Sequence, residues 1–88
     1  MSQQITWETT THEQFQKILE EIPDMIRGIA EVRVRKRAEN IVQQAGRSVI
    51  TEKDMVNAFF AETPPGFIGL MKKSLERLGV DYTKYGHQ

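Results

Sequence analysis

The stretch Ile22 to Ile50, IPDMIRGIAEVRVRKRAENIVQQAGRSVI, decides how this chain folds. Within it Ile26, Ala30, Val34, Ala38, Ile41, Val42 and Ala45 recur at the i, i+3/i+4 spacing of a helix that buries one face. Pro23 lacks an amide hydrogen and suits a first helical turn, so a corner belongs before it. Gly46 stands where a helix can end in the left-handed conformation that a Cβ resists. The expectation is one long, arginine-studded helix, a glycine stop and an extended link, Arg47 to Ile50, too short for a sheet of its own. Gly28 weakens the early part of the helix, either because Trp7 or the first helix approaches closely there or as a tolerated weak spot.

The segments on either side are patterned to cover that stripe. Upstream, Thr10 and Glu13 have capping-box spacing, and Phe15, Ile18, Leu19 and Ile22 follow as the inner face of a first helix beginning near Thr10. Downstream, Thr51 and Asp54 repeat the capping-box spacing, Ile50 can staple onto Met55, and Met55, Ala58 and Phe59 form the inner stripe of a third helix. Pro64, Pro65 and Gly66 forbid its continuation. Phe67, Ile68, Met71, Leu75 and Leu78 then mark a fourth helix, able to cover the second within one chain, with Gly79 as its stop. The tail from Val80 lacks periodicity and is ordered only if Val80, Tyr82 or Tyr85 docks. The fold expected is an all-α bundle of three to four helices with a long central helix. Its divisions are an N-terminal extension over 1–9, a three-helix core over 10–61, a Pro/Gly linker over 62–66, a fourth helix over 67–79 and a tail over 80–88.

Composition narrows the function classes. At 88 residues the chain holds one modest core. The absence of cysteine removes disulfides, thiolate chemistry and cysteine-rich zinc sites, and fits a reducing, cytoplasmic compartment. The first residues, MSQQITWETTT, have neither a basic start nor an apolar core of signal-peptide length, and no apolar run is long enough for a bilayer, so a soluble protein without membrane association is expected. Lys plus Arg equals Asp plus Glu at 12 each, which gives no overall pull toward nucleic acid or anionic lipid. The charges are unevenly spread. Acids dominate through Asp24, whereas the long helix and its loop carry Arg27, Arg33, Arg35, Lys36, Arg37 and Arg47.

Those bases are the obvious candidates for a binding patch, because arginine offers a planar fork for oxygen anions. At about 100° per residue, however, Arg27, Arg33, Arg35, Lys36 and Arg37 lie scattered round the helix, with only Arg33 and Arg37 sharing a side. Solvated faces and salt bridges to the acidic first helix are the expectation for most of them. Arg47, seven residues before Asp54, reads as a clamp onto the third helix. Trp7 either covers the end of the bundle, the favoured reading, or anchors a partner. His12 and His87 have no acid or cysteine at ligand spacing, and no serine or threonine has a base at a diagnostic spacing, so no metal, cofactor-binding or catalytic set is expected.

Ile5-Thr6-Trp7, then Leu19-x-x-Ile22-Pro23-x-x-Ile26-Arg27, then Arg33, Arg37, Glu39, Gly46 and Val49-Ile50-Thr51 together resemble the small C-terminal domain of light-independent protochlorophyllide reductase, a nitrogenase-like family. The likeness covers about Ile5 to Phe59, and it departs at Asp24-Met25, where the family commonly carries aromatics, and in the fourth helix. The resemblance implies a helical module that docks on a larger oxidoreductase subunit or shields its tetrapyrrole, with no reductase activity of its own, since this chain has no cysteine for an iron-sulfur cluster. Arg27, Arg33, Lys36, Arg37 and Trp7 are then the expected partner contacts. Trp7, Met25 and Ile29 would meet a planar macrocycle if exposed. A second pattern, Ala38-x-x-Ile41-Val42-x-x-Ala45-Gly46-Arg47-x-x-Ile50-x-x-x-Asp54-Met55-x-x-Ala58, resembles the histone fold. It implies a histone-like helix-loop-helix and, as the alternative function, nucleic-acid binding through Arg33, Arg35, Lys36, Arg37 and Arg47. Monomer and homodimer both remain open.

Overall fold

The computed structural model describes residues 4–88; the first three residues of the expected N-terminal extension lie outside them. The order is β1 (Thr6–Trp7), α1 (Thr9–Glu20), α2 (Asp24–Gln44), β2 (Val49–Ile50), α3 (Glu52–Glu62), a 3-10 turn over Pro65–Phe67, α4 (Ile68–Arg77) and a second 3-10 turn over Tyr82–Tyr85. The protein is an all-α bundle of four helices, with α2 as its spine and α3 packed most extensively along it.

The short link expected over Arg47 to Ile50 is not alone. Its Val49 and Ile50 pair in parallel with Thr6 and Trp7, so the N-terminal extension supplies the missing strand. The Thr6 amide donates to the Ser48 carbonyl at 2.9 Å and the Glu8 amide to the Ile50 carbonyl at 3.0 Å. That ladder fixes Glu8 at the entry to α1, so the helix starts at Thr9 and the expected Thr10–Glu13 capping box does not form. Thr11, buried in the first turn, instead donates its hydroxyl to the Glu8 carboxylate at 2.9 Å.

The α2 to α3 connection follows its sequence signals closely. Gly46 takes φ +72°, where a side chain would be strained, and its amide donates to the Gln43 carbonyl while that of Arg47 reaches Val42. The Thr51–Asp54 capping box is complete, and Ile50 and Met55 on either side of it are fully buried. Arg47 closes the turn with two bonds to the Asp54 carboxylate, at 3.0 and 2.6 Å. Burial pushes the Asp54 carboxyl up, but the bonds from Arg47 and from the Thr51 amide and hydroxyl outweigh it and hold the group below the usual aspartate range.

The core is formed by Phe15, Ile18 and Leu19 of α1, Val34, Ala38 and Val42 of α2, Met55, Val56, Ala58 and Phe59 of α3, and Met71 and Leu75 of α4. The tail docks, as its apolar residues allow. Val80 and Tyr82 are buried, Tyr85 donates to Glu52 at 2.6 Å, and His87 stacks on Phe60 with ring centres 3.9 Å apart. The bond to Glu52, then burial, pushes the Tyr85 phenol up to about 12.

The structure decides between the two readings of Gly28 and corrects the expected place of α4. Gly28 is exposed and a Cβ built on it meets nothing within 4 Å, so close packing does not explain it. Nor does α4 run along α2. It lies against the end of α1, where Ser74 and Arg77 both donate to the Glu21 carboxylate. Those two bonds, with that from Arg77 the larger influence, hold the Glu21 carboxyl below its ordinary value.

Candidate docking surface

The lengths of the helices determine which part of the spine stays uncovered. α2 has 21 residues, roughly 32 Å, whereas α3 has 11, roughly 16 Å. Folding back from the Gly46 turn, α3 reaches α2 only as far as Arg37, which bonds the last α3 residue, Glu62, at 2.7 Å. Pro64 and Pro65 then turn the chain away, because neither can continue the helix. The turns from Asp24 to Arg33 are therefore left without α3 beside them, and the buried stripe that includes Val34, Ala38 and Val42 opens to solvent at its N-terminal end.

The apolar residues do not stop where the cover stops. Met25 is 92% exposed, Ile29 59%, Ile26 44% and Val32 38%. Across from them the first residues of α4 present Phe67 and Leu70, at 52% and 63%. Between the two walls lies a groove of about 390 Å³, floored by Ile18, Val34 and Phe59 and flanked by Pro23 and Pro64. Six of the seven large hydrophobic residues left exposed in the described chain thus belong to this groove or to the helix face beside it; Val49 is the seventh. Contiguous exposed apolar surface of this kind marks an interaction site more often than an ordinary solvated face.

The rim is charged asymmetrically. Glu21 and Glu62 line the groove, yet each carboxylate is already bonded to an arginine, Arg77 and Arg37 respectively. Arg33 also lines it and has no hydrogen-bond or ion-pair partner among the described residues, and the same holds for Lys36 one turn on. A positive charge is therefore free at the C-terminal end of the apolar face.

The other candidate bases, Arg27, Arg35, Arg37 and Arg47, are engaged, and not with the acidic side chains of α1 as expected. Arg27 folds back under the α1 corner, donating to the carbonyls of Leu19 at 2.8 Å, Ile22 at 2.8 and 3.2 Å, and Glu20 at 3.2 Å, and pairing with Asp24 at 2.8 Å. It supplies donors to the Glu20 and Ile22 carbonyls, which the helix end leaves open, and adds a second to the Leu19 carbonyl, which the Ile22 amide also reaches. Arg35 pairs with Glu31 and Glu39 on its own helix, at 3.0 and 3.6 Å. Trp7 sits in β1, half-buried, its ring stacked on Phe15 at 4.6 Å, and it does not line the groove.

Of the expected partner contacts, the structure therefore brings Arg33 to the groove and leaves Lys36 free on the adjoining face. Of the three residues expected to meet a macrocycle, Ile29 lines the groove and Met25 extends its face, while Trp7 is elsewhere. Phe67 and Leu70 were missed as surface contacts. Phe67 fits the inner periodicity of the fourth helix, and Leu70, which does not, was the available signal. No family model, curated protein or solved structure matches the chain. Among the described residues no helix is long and apolar enough to cross a membrane.

Proposed function

We propose that this protein is a non-catalytic interaction module whose docking face is the uncovered N-terminal half of α2 together with Phe67 and Leu70. The observation that carries the reading is the convergence of exposed Ile26, Ile29, Phe67 and Leu70 at one groove with an unpaired Arg33, with Met25 and Val32 exposed on the helix face beside it. An apolar floor supplies affinity, and a single free charge at the rim supplies orientation. The partner class follows from the sequence resemblance to the C-terminal domain of protochlorophyllide reductase: a larger nitrogenase-like oxidoreductase subunit, with the tetrapyrrole it carries as a second possible contact, in the cytoplasm. The loop arginine and capping acid between α2 and α3 are what supports the second reading, a histone-like hairpin, but Arg35, Arg37 and Arg47 are engaged with carboxylates. Of the five bases named for nucleic-acid binding only Arg33 and Lys36 are free, so the docking reading is preferred.

Calorimetric titration against the purified catalytic subunits of such a reductase tests the proposal. Binding that weakens at least tenfold in Ile29→Glu and in Leu70→Glu, with Trp7→Ala retaining it, is the expected result. Absence of binding to those subunits, or binding indifferent to both groove variants, refutes it.

A further inference from the structure

The groove continues the line of α3 along α2. At about 100° per residue, Arg33 and Arg37 stand one turn and about 40° apart, with Ile26 lying between them in angle. Arg37 marks where α3 stops: its guanidinium bonds the carboxylate of Glu62, the last α3 residue, at 2.7 Å. Arg33 is the next rung of the same ladder, and it lines the groove without a partner among the described residues. Beyond it the uncovered turns back to Asp24 measure about 15 Å, the length of a helix of about ten residues. On one half of α2, then, α3 supplies what the other half lacks, a short helix with an apolar inner face and an acid opposite an arginine.

Charge selects among the occupants such a groove could take. Its two rim carboxylates, Glu21 and Glu62, are already bonded to Arg77 and Arg37, so neither is left to attract a base. Arg33 offers the unmet charge, which draws an incoming carboxylate to that end and repels an incoming cation. The walls are apolar, with Ile26 and Ile29 on one side and Phe67 and Leu70 on the other. We infer that the groove takes an amphipathic helix of a partner protein, about three turns long and in line with α3. Its apolar residues, at i, i+3, i+4 and i+7, press onto Ile29 and Leu70, and an aspartate or glutamate pairs with Arg33. A helix of that length is marginal in water, so the segment is held by its own protein or folds as it docks. This deepens the docking reading, on which it rests in taking the groove as the interface, by naming the chemistry of the partner's element.

Panning a phage-displayed library of alanine-based peptides on the full chain tests this, each peptide about 16 residues long, helical before it binds and randomised along one face. Enriched sequences are expected to carry apolar residues at i, i+3, i+4 and i+7 and an acid one turn from them. The leading peptide, synthesised and titrated by calorimetry, should bind at least tenfold more weakly to Ile29→Glu and to Arg33→Glu. Lys53→Glu, the same charge change at an exposed position of α3, should leave its affinity unaltered. Replacing the peptide's acid by lysine should restore binding to Arg33→Glu and weaken it to the wild type. Circular dichroism checks that each variant stays helical. The absence of any enriched helix overturns the proposal, as does an enriched face with a base in place of the acid, or binding indifferent to Ile29→Glu. Saturable binding of dodecanoate that is lost in Arg33→Glu, with no helix enriched, assigns the groove to a small amphiphile and overturns it too. If reductase subunits then still bind, and lose binding in Ile29→Glu, the helix fails while the docking reading stands. An enriched acidic helix without reductase binding removes the named partner and leaves the helix.

Discussion

Replacing Asp54 by alanine should destabilise the fold more than any other single polar substitution on α3. Its side chain is almost wholly buried, and its carboxylate accepts from the Thr51 amide and hydroxyl, both at 2.9 Å, and twice from Arg47. Loss of a reciprocal helix cap costs about 1 kcal/mol, and leaving the Thr51 amide without its charged acceptor adds about 1 to 2 kcal/mol. Arg47 is exposed enough for water to replace its lost partner. The total of about 2 to 3 kcal/mol corresponds, in a domain of this size, to a Tm lower by about 10 to 20 °C. Acid should expose the same group. The Asp54 pKa is depressed in the folded state, so its stabilisation is complete above the unfolded value of about 3.9 and is lost as pH falls through the folded value. Urea melts of wild type and Asp54→Asn should therefore differ at neutral pH and converge in acid. A neutral-pH loss below about 0.5 kcal/mol for Asp54→Ala, within the range of ordinary surface changes, refutes the assignment of this pair as the clamp of the α2 to α3 turn. A gap to Asp54→Asn that persists unchanged into strong acid refutes the electrostatic part.

Arg27→Ala should lower the urea midpoint by an amount equivalent to about 1 to 2 kcal/mol, because the Glu20 and Ile22 carbonyls at the α1 corner lose their donor and the Leu19 carbonyl keeps only the Ile22 amide, and Arg27→Lys should restore little of it since an ammonium lacks the fork. Truncation after Gly79 should cost about 3 kcal/mol by removing the buried Val80 and Tyr82, with thermal melting as the check. In alkaline titration followed by phenolate absorbance, Tyr85 should ionise near 12 and earlier in Glu52→Gln. The raised pKa means that its contribution to tail docking is complete below the unfolded value of about 10 and disappears as pH rises through 12.

Local chemistry made most of this fold legible. Pro23, Gly46, the Thr51–Asp54 cap and the Arg47 clamp each act within a few residues, and each stands where its residue type allows few alternatives. What the pattern could not convey was which partner each apolar face would meet. Periodicity marks Ile26 and Phe67 as inward-facing in the same way as Val34 and Met71, although the first pair is exposed and the second buried. The difference arises from α3 being half the length of α2 and from Pro64 and Pro65 sending α4 toward Glu21, both of which depend on tertiary geometry. Likewise Thr10 and Glu13 have good capping spacing, yet a ladder to residues more than forty positions away sets the helix start instead. Arg27 resembles its neighbours in sequence and becomes a structural cap only because the α1 corner folds over it.

The claim that the uncovered half of α2 is the working surface of this protein is tested most directly by amide NMR of the labelled chain, mapped before and after addition of purified nitrogenase-like reductase subunits. Shifts and line broadening confined to Asp24 through Lys36 and Pro64 through Met71, with Thr6, Trp7 and the Arg47 turn undisturbed, are the predicted result. A footprint centred on Trp7, on the Arg47 turn or on the docked tail, with Ile29 and Leu70 unchanged, would contradict it.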